Sequence, residues 1–161
     1  MNSPSRLHFT KLVSLAVLVS VPNQPAAARL VGQWVIGSGQ GTVEYSIYND
    51  NTDKTYFIIS DASDGVSGEV EVYLSIGGKS PKPQSTVQIQ VGPNRVDFMA
   101  DEGGSISTAC RVCAANFDAL WQMMRAGKVM QVRFDGRAAT FSLSGSSRVL
   151  GSEPPVADFY R

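Results

Sequence analysis

Between residues 42 and 100 apolar and polar side chains alternate with a period of two, the pattern of strands that bury one face. Thr42 to Tyr48 places Val43, Tyr45 and Ile47 on one side. Glu69 to Ile76 sets Val70, Val72, Leu74 and Ile76 against Glu69, Glu71, Tyr73 and Ser75, and Thr86 to Val91 turns Val87, Ile89 and Val91 inward. Gln33 to Ile36, with Trp34 inward, Tyr56 to Ser60 and Arg95 to Ala100 complete the strand-like runs. Turn formers separate them: Asn49-Asp50-Asn51-Thr52-Asp53, Ser63-Asp64-Gly65 with Gly68, Gly77-Gly78, and Gly92-Pro93-Asn94. Many short strands divided by turns predict an antiparallel β-sandwich or barrel-like domain rather than a βαβ fold.

The period changes once, near the C-terminus. Phe117, Leu120, Trp121 and Met124 follow helical spacing and predict one amphipathic α-helix from about Phe117 to Ala126. Asn116 is the expected N-cap, Asp118 suits the positive end of the helix dipole, and Arg125 suits the negative end. Gly127 is expected to end the helix in the left-handed conformation. Met123 falls off the apolar stripe and is expected at the surface, whereas Trp34, Trp121 and Met124 read as core. Lys128 to Phe134, the tight Asp135-Gly136 turn and Ala138 to Ser144 form a last hairpin. Glu153-Pro154-Pro155 opens a surface tail in which Phe159 and Tyr160 are candidates for docking.

The first 28 residues follow neither period. Arg6 and Lys11 precede an apolar run, Leu12 to Val21, that is too short to span a bilayer; Pro22 and Pro25 break it, and Ala26-Ala27-Ala28 supplies small residues. This is the pattern of an export signal cleaved after Ala28. The expected organisation is therefore a signal peptide at 1–28, a single β-rich domain at 29–151 and a surface tail at 152–161. The expected location is periplasmic or secreted. Cleavage there removes His8, the single histidine, together with Arg6 and Lys11.

That removal narrows the chemistry. A Ser-His-Asp or Cys-His arrangement needs an imidazole, so no catalytic residue is assigned and the chain is expected not to be an enzyme. No cofactor and no metal site is expected: tetrahedral zinc would need two ligands beyond the cysteine pair. The runs Asp50-Asn51-Thr52-Asp53 and Asp61-Ala62-Ser63-Asp64-Gly65 do not complete a calcium loop. Asp101-Glu102 reads as a surface turn. Fourteen basic residues balance fourteen acidic ones in the full chain. Loss of Arg6 and Lys11 makes the balance slightly acidic and leaves no basic block for nucleic acid. No apolar stretch after Val21 is long enough for a transmembrane segment.

The two cysteines, Cys110 and Cys113, both lie outside the signal segment. In an oxidising compartment they are expected to form a structural disulfide that guides the chain into the helix, a loop so short that it contributes about 2 kcal/mol. The alternative is a redox-active dithiol. Against it, the pair is expected to lie before the Asn116 cap, out of reach of the helix dipole, and no α/β unit surrounds it.

Cys110 to Gly151 resembles the C-terminal part of the invasion-associated locus B family of secreted and periplasmic proteins. The residues that carry the resemblance are the cysteine pair before Phe117-Asp118-Ala119-Leu120-Trp121, the step Arg125-Ala126-Gly127-Lys128-Val129-Met130, and Phe141-Ser142-Leu143-Ser144-Gly145. The resemblance implies an exported, non-enzymatic β-rich protein that binds a protein or envelope component. It carries over no catalytic residue and implies that Cys110 and Cys113 are structural. A periplasmic immunity or inhibitor protein is the alternative function, and a thiol oxidoreductase is a third.

Overall fold

A computed structural model describes residues 31–39, 41–62 and 69–155. The expected export signal, the expected Ser63-Asp64-Gly65 and Gly68 turn, and Phe159 and Tyr160 lie outside the described residues.

The period-two runs become two antiparallel sheets. The first has the order β1-β2-β3-β4-β7, built from β1 (Val35–Gly39), β2 (Thr42–Tyr48), β3 (Tyr56–Asp61), β4 (Val70–Ser75) and β7 (Ile106–Ser107). The second has the order β6-β5-β8-β9, built from β5 (Thr86–Val91), β6 (Asn94–Met99), β8 (Val129–Phe134) and β9 (Arg137–Ser142). Register follows the alternation. Ile47, Phe57 and Leu74 face one another across β2, β3 and β4, and Ile59 and Val72 extend the layer to Ile106. In the second sheet Ile89 meets Val96 and Val132, while Met130 meets Phe141. These apolar faces share one core, and Phe57 of the first sheet lies 6.2 Å from Phe141 of the second, ring centre to ring centre.

Two hairpins show how turn chemistry sets register. Val91 pairs with Asn94, leaving Gly92 at φ 57 and Pro93 as a two-residue turn; only glycine takes the first of these positions without strain. Phe134 pairs with Arg137, and both Asp135 (φ 47) and Gly136 (φ 74) are left-handed, as a type I′ turn requires.

The helix α1 runs Arg111–Ala126, six residues longer at its start than the apolar stripe predicts. Its cap is Cys110, not Asn116: Cys110 is extended (φ −152, ψ 154), and its sulfur accepts the N–H of Cys113 at 3.0 Å. Ala114 carries the buried stripe one turn earlier, joining Phe117, Leu120, Trp121 and Met124. Burial of Ala114 thus outweighs the intrinsic capping preference of Asn116, which sits half-buried inside the helix. Met123 is half-buried against the core rather than exposed.

Gly127 departs from expectation in a second way. It is extended (φ −83, ψ 175), not left-handed. Its missing side chain answers to packing, since a Cβ there would lie 2.2 Å from Val91 Cγ1. The first strand is also displaced along the chain, to Val35–Gly39 from Gln33–Ile36, because Trp34 leaves the sheet to bury its ring. The short strand β7 and the four-residue helix α2 (Ser146–Val149) have no periodic signature. Ser146 nevertheless ties α2 to α1 by donating its hydroxyl to the Met124 carbonyl at 2.7 Å.

Candidate functional site

Two places combine exposure with a definite geometry: the N-terminus of α1 and the edge of β1 that no described strand pairs.

At the first, Cys110 and Cys113 form a disulfide with Cα atoms 5.0 Å apart. The expected pairing is therefore present, but its position differs. Cys110 caps the helix and Cys113 lies in its first turn, so the pair opens the helix instead of preceding it. Cys110 is exposed and Cys113 half-buried. No acidic residue occupies the first turn of α1. The chain entering this turn is held independently of the disulfide. Thr108 donates both its N–H (3.1 Å) and its hydroxyl (3.0 Å) to the Val70 carbonyl, and Ala109 N–H donates to Ser107 Oγ at 3.0 Å.

The second place emerges from a comparison of the four sheet edges. An edge strand leaves a row of unpaired backbone groups, which proteins guard by shortness, charge or cover. Strand β7 has two residues. Strand β6 carries Arg95 and Asp97, paired through two hydrogen bonds, and α1 packs along it. Strand β9 has its Ser142 carbonyl taken by Trp34 Nε1–H at 3.0 Å and its Thr140 carbonyl taken by Asn49 Nδ2 at 2.6 Å. Strand β1, Val-Ile-Gly-Ser-Gly, has neither charge nor proline, and all five residues are exposed. Ile36 is 55% and Val35 39% exposed, and Val31 just upstream is exposed as well. The buried Trp34, 6.3 Å from Phe57 in an edge-on contact, anchors the start of this strand. The sequence pattern predicts a strand only to Ile36, whereas β1 continues to Gly39. The signal that marks this edge in the sequence is an uncharged run flanking a buried tryptophan.

The acidic turns are self-satisfied. Asp50 Oδ1 accepts the Thr52 hydroxyl at 2.6 Å and the Thr52 N–H at 2.9 Å. The Thr52 hydroxyl is the main reason its carboxyl sits at about 2; slight desolvation opposes, and the N–H groups of Lys54 and Thr52 add to the lowering. Desolvation pushes Asp101 upward, but hydrogen bonds from Ser105, Gly103 and Gly104 outweigh it and hold the carboxyl below its ordinary value. Tyr73 is pushed up to about 12, chiefly by donating its hydroxyl to Glu71, with burial and the nearby charges of Glu71, Asp101 and Glu44 adding to it. Among the described residues no group of three or more His, Cys, Asp or Glu side chains is placed to hold a metal ion.

The two depressed carboxyls have a consequence in acid. Each binds its proton less readily in the folded chain, so the stability it contributes is present above the ordinary carboxylate range and lost as pH falls through the folded value. For Asp50 that window runs from about 3.8 down to about 2. Urea midpoints are expected to fall across this window in the parent chain and to fall less steeply in Asp50→Asn.

Trp121 Nε1–H donates to the Gly151 carbonyl at 2.9 Å, and Gln122 Nε2 donates to Ser152 at 3.2 Å. The first residues of the expected tail are thus tied to α1. Among the described residues no helix is long and apolar enough to cross a membrane. A family model described as YfjT matches residues 32–150, from the residue after the Val31 bridge to the residue that follows α2. No curated protein and no solved structure matches the chain.

Proposed function

The chain belongs to the YfjT family, whose model spans well over half of it, and on that premise we propose that it is an exported β-sandwich protein that binds a protein partner in the bacterial envelope or outside the cell. The observation that carries this reading is the unguarded edge of β1. It is the one edge among the described strands that lacks charge, cover and brevity alike. A partner's extended segment would add to it as a further strand. Backbone hydrogen bonds would supply affinity, and Ile36 and Val35, which point to opposite faces, would read alternate side chains.

Export is part of the proposal. The Arg6-to-Ala28 pattern supports it, as does a disulfide of a kind that persists in oxidising compartments. The resemblance of Cys110 to Gly151 to the invasion-associated locus B family points the same way.

The test is a photo-crosslinker placed at Ser38 in the native cell. One discrete protein adduct is expected, and Ile36→Lys should reduce it at least ~10-fold while changing stability by no more than about 0.5 kcal/mol. A hydrolase or toxin in that adduct would redirect the reading to an inhibitor. Absence of an adduct, or indifference to Ile36→Lys, would overturn strand addition.

A further inference from the structure

We propose that the Cys110–Cys113 bridge is an exchangeable disulfide that oxidises a dithiol of a partner protein through a mixed disulfide at Cys110. A structural bridge would be expected to hold the chain where other contacts do not. Here the approach to α1 is already held by the bonds from Thr108 to Val70 and from Ala109 to Ser107. Neither cysteine belongs to the hydrophobic core.

The bridge is asymmetric in a way that suits exchange. Cys110 is exposed and Cys113 half-buried, so an incoming thiolate reaches the first sulfur. The Cys113 N–H already points at Cys110 Sγ at 3.0 Å. Once the bridge opens, that N–H and the positive end of a 16-residue helix stabilise a thiolate on Cys110, and no first-turn carboxylate opposes them. Stabilising the reduced form makes the disulfide a stronger oxidant. Val112, between the cysteines and 69% exposed, offers an apolar contact for the approaching chain.

The steps balance. A partner thiolate attacks Cys110 Sγ, forming a new S–S bond while the bond to Cys113 breaks, and Cys113 leaves as a thiolate that takes a proton. The partner's second thiolate then attacks its own sulfur in the mixed disulfide, and Cys110 leaves with the electron pair. The partner dithiol loses two electrons and two protons; the cysteine pair gains both electrons and, on Cys113, one proton, while the second proton passes to solvent and Cys110 remains a thiolate.

The chemistry is read on the purified oxidised chain, so it stands or falls independently of binding at β1. Reduced glutathione at millimolar concentration, followed by alkylation and mass measurement, is expected to open the bridge while near-ultraviolet circular dichroism stays native. A synthetic Cys-Gly-Gly-Cys peptide is expected to be oxidised one-for-one. In Cys113→Ser, or Cys113→Ala if the serine variant does not fold, absorbance at 240 nm should show at least a ~10-fold larger thiolate fraction on native Cys110 at about pH 6 than in urea. A merely structural bridge would stay closed until the chain unfolds, or would yield a Cys110 no more ionised native than denatured; either result overturns the proposal.

Discussion

Replacing Trp121 with alanine is expected to cost about 3–5 kcal/mol of folding stability, the range for deleting a large buried aromatic. The side chain is fully buried and is the largest such side chain among the described residues. Its ring meets Tyr45 of β2 edge-on at 5.3 Å and Phe117 of α1 at 5.8 Å. Its N–H holds Gly151 at 2.9 Å. One residue therefore joins the helix, the first sheet and the segment that follows α2. Truncation opens a cavity among three elements and removes the donor that holds the Gly151 carbonyl. Trp121→Phe keeps most of the packing and loses the donor, so about 1–3 kcal/mol is expected. Urea titrations at constant m-value measure both. Domains of this size have a total stability of about 5–15 kcal/mol, so the alanine variant should unfold measurably at physiological temperature. A loss below about 1 kcal/mol would mean that the indole is not the keystone its contacts describe.

The strands were legible because burial on one face imposes a period that needs no partner to be read. Thr42–Tyr48 and Thr86–Val91 have the same bounds in sequence and structure. The helix's buried face was legible for the same reason, but its start was not. Asn116 has the better intrinsic preference as a cap, and only the tertiary burial of Ala114 shows that the helix begins at Arg111. That shift matters for the candidate site, because it moves the cysteine pair from the approach to the helix onto its first turn. The β1 edge was illegible for a different reason. Whether an edge is guarded depends on what the neighbouring chain does, as when Trp34 and Asn49 occupy the carbonyls of β9. No local pattern at Thr140 or Ser142 announces that. Strand β7 is two residues long and carries no period at all.

The sequence marks Gly127 as a special position, but packing rather than a left-handed backbone is the cause, and the two causes predict different experiments. A glycine required by a left-handed backbone costs about 1 kcal/mol when replaced by alanine, whatever its neighbours are. Gly127 is extended, a conformation alanine adopts freely. What excludes a side chain is contact: a Cβ would lie 2.2 Å from Val91 Cγ1 and 2.9 Å from Leu143 Cδ1, both on buried residues, and 2.9 Å from the Met123 carbonyl oxygen. Gly127→Ala is therefore expected to lose about 2–3 kcal/mol through overpacking between the end of α1 and the second sheet. Val91→Ala removes the nearest of those atoms. In the double variant the methyl group introduced at position 127 takes part of the space that Val91 vacates, so the two losses should fall short of additivity by at least ~1 kcal/mol. Relief is incomplete because the Met123 carbonyl is backbone and stays where the helix puts it. Strict additivity in urea titrations of the four chains would instead place the constraint in the backbone of residue 127, and the close approach of α1 to β5 would no longer explain the glycine.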